Sequence, residues 1–368
     1  MQMLVSETVA IVLLHLLGNV GSKLDQLCYM KAVAYLAGVL LRPVDARLGA
    51  LNRYTSLTSR LAGHFRRSTS TLTSFSSRSE ATEGLSMRSF SAWPNHRVVQ
   101  VDSRNTEVYH MSSNGRSRLQ VLILPGNPGS AGYYEAYIAA LHAALHGQAE
   151  VHAVSHLGHA SSKKARQYGN KAFSLQEQID HKVAYIYQHM SQQQPIAIIG
   201  HSIGAYMALK VVKRLQAVTS ASPDIAKVLA IFPFLQADLS TGQQTMMHAL
   251  TKAPRFMGVI GAMLGLLPSK CKRWLVNWWG GGLDDYAEKA TVGLLNYNTI
   301  MNGFFLGQTE FRDLAGPVDW KELQELGDKV AVLCNPHDTW FSQRSWEEMW
   351  LAVPNVKVRE CWLIARKL

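Results

Sequence analysis

The run Pro195-Ile196-Ala197-Ile198-Ile199-Gly200-His201-Ser202-Ile203-Gly204 decides how this chain of 368 residues folds. A short apolar segment suited to a buried strand meets G-x-S-x-G. Tyr206, Met207, Val211 and Leu215 then recur at helical spacing, so one face of a following helix can bury against a sheet. A strand that turns straight into a helix brings two backbones close together, which calls for glycine at Gly200 and Gly204. Ser202 is thereby lifted above the sheet edge, beside a helix N-terminus whose free N–H groups favour negative charge. The competing explanation is an incidental Ser-Gly turn, because G-x-S-x-G also arises by chance.

A second stretch supports the first. Leu119-Gln120-Val121-Leu122-Ile123-Leu124 has the character of a buried strand and is followed by Pro125-Gly126-Asn127-Pro128-Gly129-Ser130. Acyl transfer through a serine needs two N–H donors aimed at the oxygen that becomes negative. A loop of glycine and proline can hold such donors rigidly. The candidates are the N–H groups of Asn127 and of Ile203; alone, the loop would equally suit an ordinary strand-to-helix turn. Its order relative to Ser202 is that of the α/β-hydrolase fold. Ala149–Val154 and Val228–Phe232 supply further strands, and Ser174-Leu175-Gln176-Glu177 is a capping box for a helix reaching about His189. The expected architecture is a mostly parallel sheet with helices on both faces and a helical cap insertion.

The P-G-N-P-G loop, the segment Gly132-Tyr133-Tyr134-Glu135-Ala136-Tyr137, the loop Ser155-His156-Leu157-Gly158-His159 and the elbow G-H-S-I-G-A-Y together resemble the lipid droplet-associated hydrolases, over roughly Arg97 to Glu360. The resemblance implies a serine hydrolase of carboxylic esters that works through an acyl-enzyme on Ser202, with a neutral lipid ester as substrate. It also implies residence at the lipid droplet surface, with the endoplasmic reticulum membrane as a further location. The acid of that family falls on Asp338, in the loop Asn335-Pro336-His337-Asp338-Thr339-Trp340 after the strand Lys329–Cys334. There it would fix the tautomer of a general-base histidine; otherwise Asp338 would simply cap a helix starting near Phe341.

The base itself is missing from its expected place. The fold runs Ser, Asp, His in chain order, yet no histidine follows His337. After the last strand candidate, Asn355–Glu360, comes only Cys361-Trp362-Leu363-Ile364-Ala365-Arg366-Lys367-Leu368. A serine hydroxyl without a base is a poor nucleophile at neutral pH. Four other histidines could be considered: His201 in the elbow, His337 beside the acid, and His156 and His159 on the loop at the sheet edge. The expectation is a C-terminally truncated hydrolase, with a catalytically inactive lipid-surface binding form as the alternative.

Composition bounds the remainder. Residues 1–95 form an extension in which arginine, serine and threonine dominate from Arg42 to about Trp93, a composition that resists forming a core and resembles organelle targeting. A start at Met87 is the alternative. Residues 96–368 are expected to be the hydrolase domain, with the cap or lid at about 235–327. The net charge of +11 is concentrated in the early stretch without an aromatic-interleaved basic stripe, which argues against nucleic acid as partner. Cys28, Cys271, Cys334 and Cys361 show neither disulfide nor zinc spacing. The chemistry requires no metal and no organic cofactor, and the oligomeric state is not encoded legibly. Within the cap, Phe256–Leu267 is apolar, and Trp274, Trp278 and Trp279 follow among Lys270, Lys272 and Arg273. Aromatic rings with basic neighbours suit a lipid interface; a cap helix packed on the core explains the same pattern.

Overall fold

The computed structural model describes residues 92–166, 171–218, 222–280, 283–334, 338–354 and 356–360. Expectations for residues 1–91, for His337 and for Cys361 lie outside the described residues.

Eight strands form one sheet: β1 (Asn95–Val101), β2 (Arg104–Met111), β3 (Leu119–Leu124), β4 (Ala149–Val154), β5 (Ile196–His201), β6 (Ile225–Ile231), β7 (Val330–Cys334) and β8 (Lys357–Glu360). Their spatial order is β1-β2-β4-β3-β5-β6-β7-β8. Strands β3 to β8 pair in parallel, while β1 and β2 attach antiparallel at one edge. Between strands run α1 (Glu135–Ala144), α2 (Leu175–His189) and α3 (Ile203–Ala217). From β6 to β7 the chain passes through α4 (Gly242–Thr251), α5 (Pro254–Gly265), α6 (Ser269–Gly280), α7 (Asp285–Leu294), α8 (Tyr297–Asp313) and α9 (Trp320–Leu326). Helix α10 (Gln343–Ala352) precedes β8.

The central strands are apolar on both sides because both faces are covered. Leu122, Leu124, Ile198, Val228, Ala230 and Val332 bury with α2, α3 and the cap. Their alternates Val121, Ile123, Ala197, Ile199, Leu229 and Ile231 bury with α1. Each fully buried Leu, Ile or Val contributes about 1.5–3 kcal/mol of transfer free energy, so register across β3, β5 and β6 is strongly fixed. At the start of α2, Ser174 and Glu177 form the reciprocal capping box, and the helix ends at His189.

The β1–β2 hairpin has no counterpart in the sequence expectations. Its turn residues Asp102 and Ser103 both have positive φ, 46° and 62°. Such turns usually advertise themselves with Asn-Gly or Asp-Gly; Asp-Ser does not.

Candidate active site

Ser202 sits between β5 and α3 at φ 53° and ψ −122°, a region that disfavours any residue with a Cβ. The surroundings hold it there. Its N–H donates to Ile231 O at 3.0 Å, and its carbonyl accepts from Ala205 N at 3.0 Å and Phe234 N at 3.1 Å. The flanking glycines are required by space. A Cβ on Gly200 would lie 2.2 Å from Gly204 O, and one on Gly204 would lie 2.3 Å from Leu124 O and 2.4 Å from Pro125 O. Ser202 remains partly accessible while His201 and Ile203 on either side are buried.

The loop after β3 closes against this turn. A Cβ on Gly126 would come within 3.1 Å of Ser202 Cβ. The Gly126 N–H donates to Tyr134 Oη at 3.2 Å, and that hydroxyl meets His201 Nδ1 at 2.9 Å. Burial pushes His201 down to about 4, so the ring that meets Tyr134 is neutral. His201 is thus engaged with Tyr134. Among the described residues, neither the Asn127 N–H nor the Ile203 N–H donates to an acceptor. These two N–H groups belong to the loop after β3 and to the first residue of α3, the two segments that meet at Ser202.

The loop after β4 supports the first from below. His156 N–H donates to Gly129 O, and Gly129 N–H donates to His159 Nδ1, each at 2.8 Å. Ala131 N–H donates to Ser155 Oγ at 2.9 Å. A Cβ on Gly129 would strike the His156 ring at 2.1 Å. Burial, reinforced by the neighbouring Lys182, pushes His159 down to about 3 and His156 well below its usual range. Both rings are therefore neutral, His159 accepting from the loop and the His156 ring packing against Gly129. Lys182 is itself fully buried, donating to Ser155 O at 2.7 Å. The buried Glu107 carboxylate accepts from Ser161 N–H at 3.0 Å and Ser162 N–H at 2.9 Å, fixing the far end of the loop. Sequence reasoning missed Tyr134, Glu107 and Lys182 as supports.

Asp338 leaves β7 at the same edge of the sheet that carries Ser202 at the end of β5. Its Oδ1 accepts from Trp340 N–H at 2.8 Å. Helix α10 is capped by Ser342, not by Asp338. The cap grips this loop as well, since Gln244 Nε2 of α4 donates to Thr339 O at 2.8 Å.

The residue most clearly missed is Glu310. It is buried on α8, where its Oε1 accepts from Asn127 Nδ2 at 3.1 Å; the same amide donates to Gly303 O at 2.9 Å. Gly303 and Gly307 lie alongside the Asn127 side chain. Burial raises Glu310 to about 8, against the opposing pull of the Asn127 hydrogen bond. At neutral pH this carboxyl is mostly protonated. A glutamate continuing the stripe Gly303, Leu306, Gly307 on one helix face was the available signal.

Comparison with known proteins places the chain in a family. The family model described as lipid-droplet associated hydrolase matches residues 117–363. The chain belongs to that family. Relatives in the lipid-droplet associated hydrolase family include the lipid droplet-associated hydrolases of Gallus gallus and Homo sapiens. The first is 26% identical, over 68% of this chain and 79% of its own length. The second is 23% identical, over 70% and 81%. Among solved structures, the haloalkane dehalogenase DatA from Agrobacterium tumefaciens C58 superposes with a TM-score of 0.52 at 13% identity, covering 73% of this chain and 88% of its own. That likeness establishes the α/β-hydrolase fold.

In this member of the lipid-droplet associated hydrolase family the cap has two unlike sides. Helix α5 buries Met257, Gly258, Ile260 and Gly261 against α8, and a Cβ on Gly261 would sit 2.6 Å from Ile300 Cγ1. Its other side exposes Phe256, Val259, Met263 and Leu266. On α6, Trp274 and Trp278 are exposed and stack with parallel planes, centroids 5.9 Å apart. Lys252, Arg255, Lys270 and Arg273 are exposed beside them. The side chain of Trp279 lies outside the described residues. The packed cap helix expected for the run Phe256–Leu267 is therefore seen on one face, while the other face is exposed. No helix among the described residues is long and apolar enough to cross a membrane.

Proposed function

We propose that this chain hydrolyses carboxylic esters of neutral lipids at the lipid droplet surface, through an acyl-enzyme on Ser202. The observation that carries the reading is Ser202 held at φ 53°, with the Asn127 and Ile203 N–H groups lacking an acceptor among the described residues. Ser202 Oγ adds to the ester carbonyl and its proton passes to a base. The two N–H groups hold the oxyanion, and collapse releases the alcohol with that proton. Water then cleaves the acyl-serine to the free acid and restores the hydroxyl. Asp338 is assigned to orient the base. Neither step calls for a metal or an organic cofactor.

The lipid assignment draws on the family's name and on the cap's exposed apolar face. Stacked Trp274 and Trp278 would seat at the polar boundary of a lipid monolayer, with the neighbouring cations against anionic headgroups. Residues 235–327 act in this reading as a lid that docks, residues 96–368 as the hydrolase domain, and residues 1–95 as an extension without catalytic content.

A second reading, a lipid-surface binding form without turnover, is favoured by one observation. His201 bonds Tyr134, His159 accepts from Gly129 N–H, the His156 ring packs against Gly129, and no described side chain hydrogen-bonds Ser202 Oγ. Labelling of the chain with a fluorophosphonate separates the two. The hydrolase reading expects labelling that Ser202→Ala abolishes. Folded protein that does not label supports the binding form, and labelling that persists in Ser202→Ala sinks the nucleophile assignment.

A further inference from the structure

Outside the active site, one cluster of metal-ligating side chains has its donor atoms already gathered. His110 on β2 lies directly opposite His152 on β4, and Glu150 shares the face of His152 because side chains alternate along a strand. The rings of His110 and His152 are 4.6 Å apart. Glu150 Oε1 is 2.6 Å from His110 Nε2 and 3.3 Å from His152 Nε2. All three ligand atoms lie within 4.8 Å of one another.

The histidines are buried, whereas the Glu150 side chain is 30% exposed, so the site has an entry from solvent. The contact between His152 and Glu150 is the informative one. His152 Nδ1 is engaged by Tyr185 Oη at 2.8 Å, while its Nε2 faces the carboxylate without forming a hydrogen bond. Tyr185 Oη thus holds the ring at Nδ1 and leaves Nε2 aimed at the carboxylate at 3.3 Å, where an ion could sit between them. Imidazole fixed at one nitrogen by an outer partner and free at the other is the usual state of a metal-ligating histidine. A tetrahedral ion with bonds of about 2.0–2.1 Å spaces its ligand atoms about 3.3 Å apart. The His152–Glu150 distance already has that value, and the 2.6 Å between His110 and Glu150 would have to widen to it.

We propose that His110, Glu150 and His152 form a binding site for one divalent transition-metal ion, zinc by ligand type, with water completing the fourth position. Two imidazoles and a carboxylate are a set that zinc accepts while keeping an open position. His110 Nδ1 has no outer partner among the described residues, which keeps the affinity below that of a fully buttressed site. The ion would tie β2 to β4, the strand that runs directly into the loop bracing Gly129.

Cobalt(II) titration of the metal-stripped full chain tests the proposal. One equivalent is expected to produce the intense visible bands of four-coordinate cobalt, bleached by an equivalent of zinc. His152→Ala and Glu150→Gln should each weaken binding at least tenfold, and Tyr185→Phe should weaken it less. Should His152→Ala fail to fold, the partly exposed Glu150→Gln carries the test. Folded wild-type protein that gives no such bands overturns the site, as do bands that survive Glu150→Gln. A sulfur-to-cobalt charge-transfer band overturns it too, because the site contains no cysteine.

Discussion

At the edge of the sheet a single methyl group on Gly204 would collide with two carbonyl oxygens. On the outer face of the cap, the indoles of Trp274 and Trp278 stack side by side with about two-thirds of their surface exposed. The elbow is specified by steric exclusion, since almost no other residue fits at Gly200 or Gly204. The outer cap is specified by what it leaves uncovered. One region is intolerant of the smallest addition, and the other would accept large changes in the isolated protein while losing its use at an interface. Stability and surface binding should therefore respond to different substitutions.

The largest effect is expected at the elbow. Gly204→Ala places a Cβ 2.3 Å from Leu124 O and 2.4 Å from Pro125 O, backbone atoms that cannot move aside. A loss of about 3 kcal/mol or more is expected, read as a steep drop in thermal midpoint; a variant melting like the parent would break the steric account. Glu310 joins the two regions and comes next. Folding raises its pKa from 4.5 to about 8, so the native state binds the extra proton. Its contribution is complete below about pH 4.5 and fades as pH rises through about 8, at about 1.4 kcal/mol per unit. Glu310→Gln, neutral at every pH, should flatten that decline in denaturant titrations run between pH 5 and 8.

Smaller effects are expected further out. Trp274→Ser with Trp278→Ser should weaken binding to phospholipid-coated triglyceride droplets about tenfold, or about 1.4 kcal/mol, with midpoint stability changed by no more than about 0.5 kcal/mol. Undiminished flotation with droplets would remove the cap's outer face from the docking account. Ser202→Gly relieves the positive φ and should raise stability by about 1 kcal/mol. Lower stability in that variant would mean that the serine is not strained.

These contrasts also explain what was legible in the sequence. Strands β3 and β4 were bounded from their residues because fully buried parallel strands are short unbroken apolar runs between turn residues. The elbow could be found because glycine is obligatory there. The β1–β2 hairpin was invisible, since its edge strand alternates weakly and its turn uses Asp102 and Ser103. In the cap, Phe256–Leu267 is one apolar run whose halves face opposite environments, a distinction that composition does not carry. The roles of His156, His159 and Lys182 depend on the packing of two loops distant in sequence. Likewise Glu310 meets Asn127 across 183 positions, far beyond any local pattern.

That last pairing has a mechanical consequence. Asn127 contributes its backbone to the floor beside Ser202 and its side-chain amide to the ceiling, where both N–H bonds end on α8. Any displacement that lifts α8 from the sheet strips that amide of both acceptors and loosens the loop that packs against Ser202. Ceiling and floor thus share a single hinge pin, one side chain through which a movement of α8 reaches the turn.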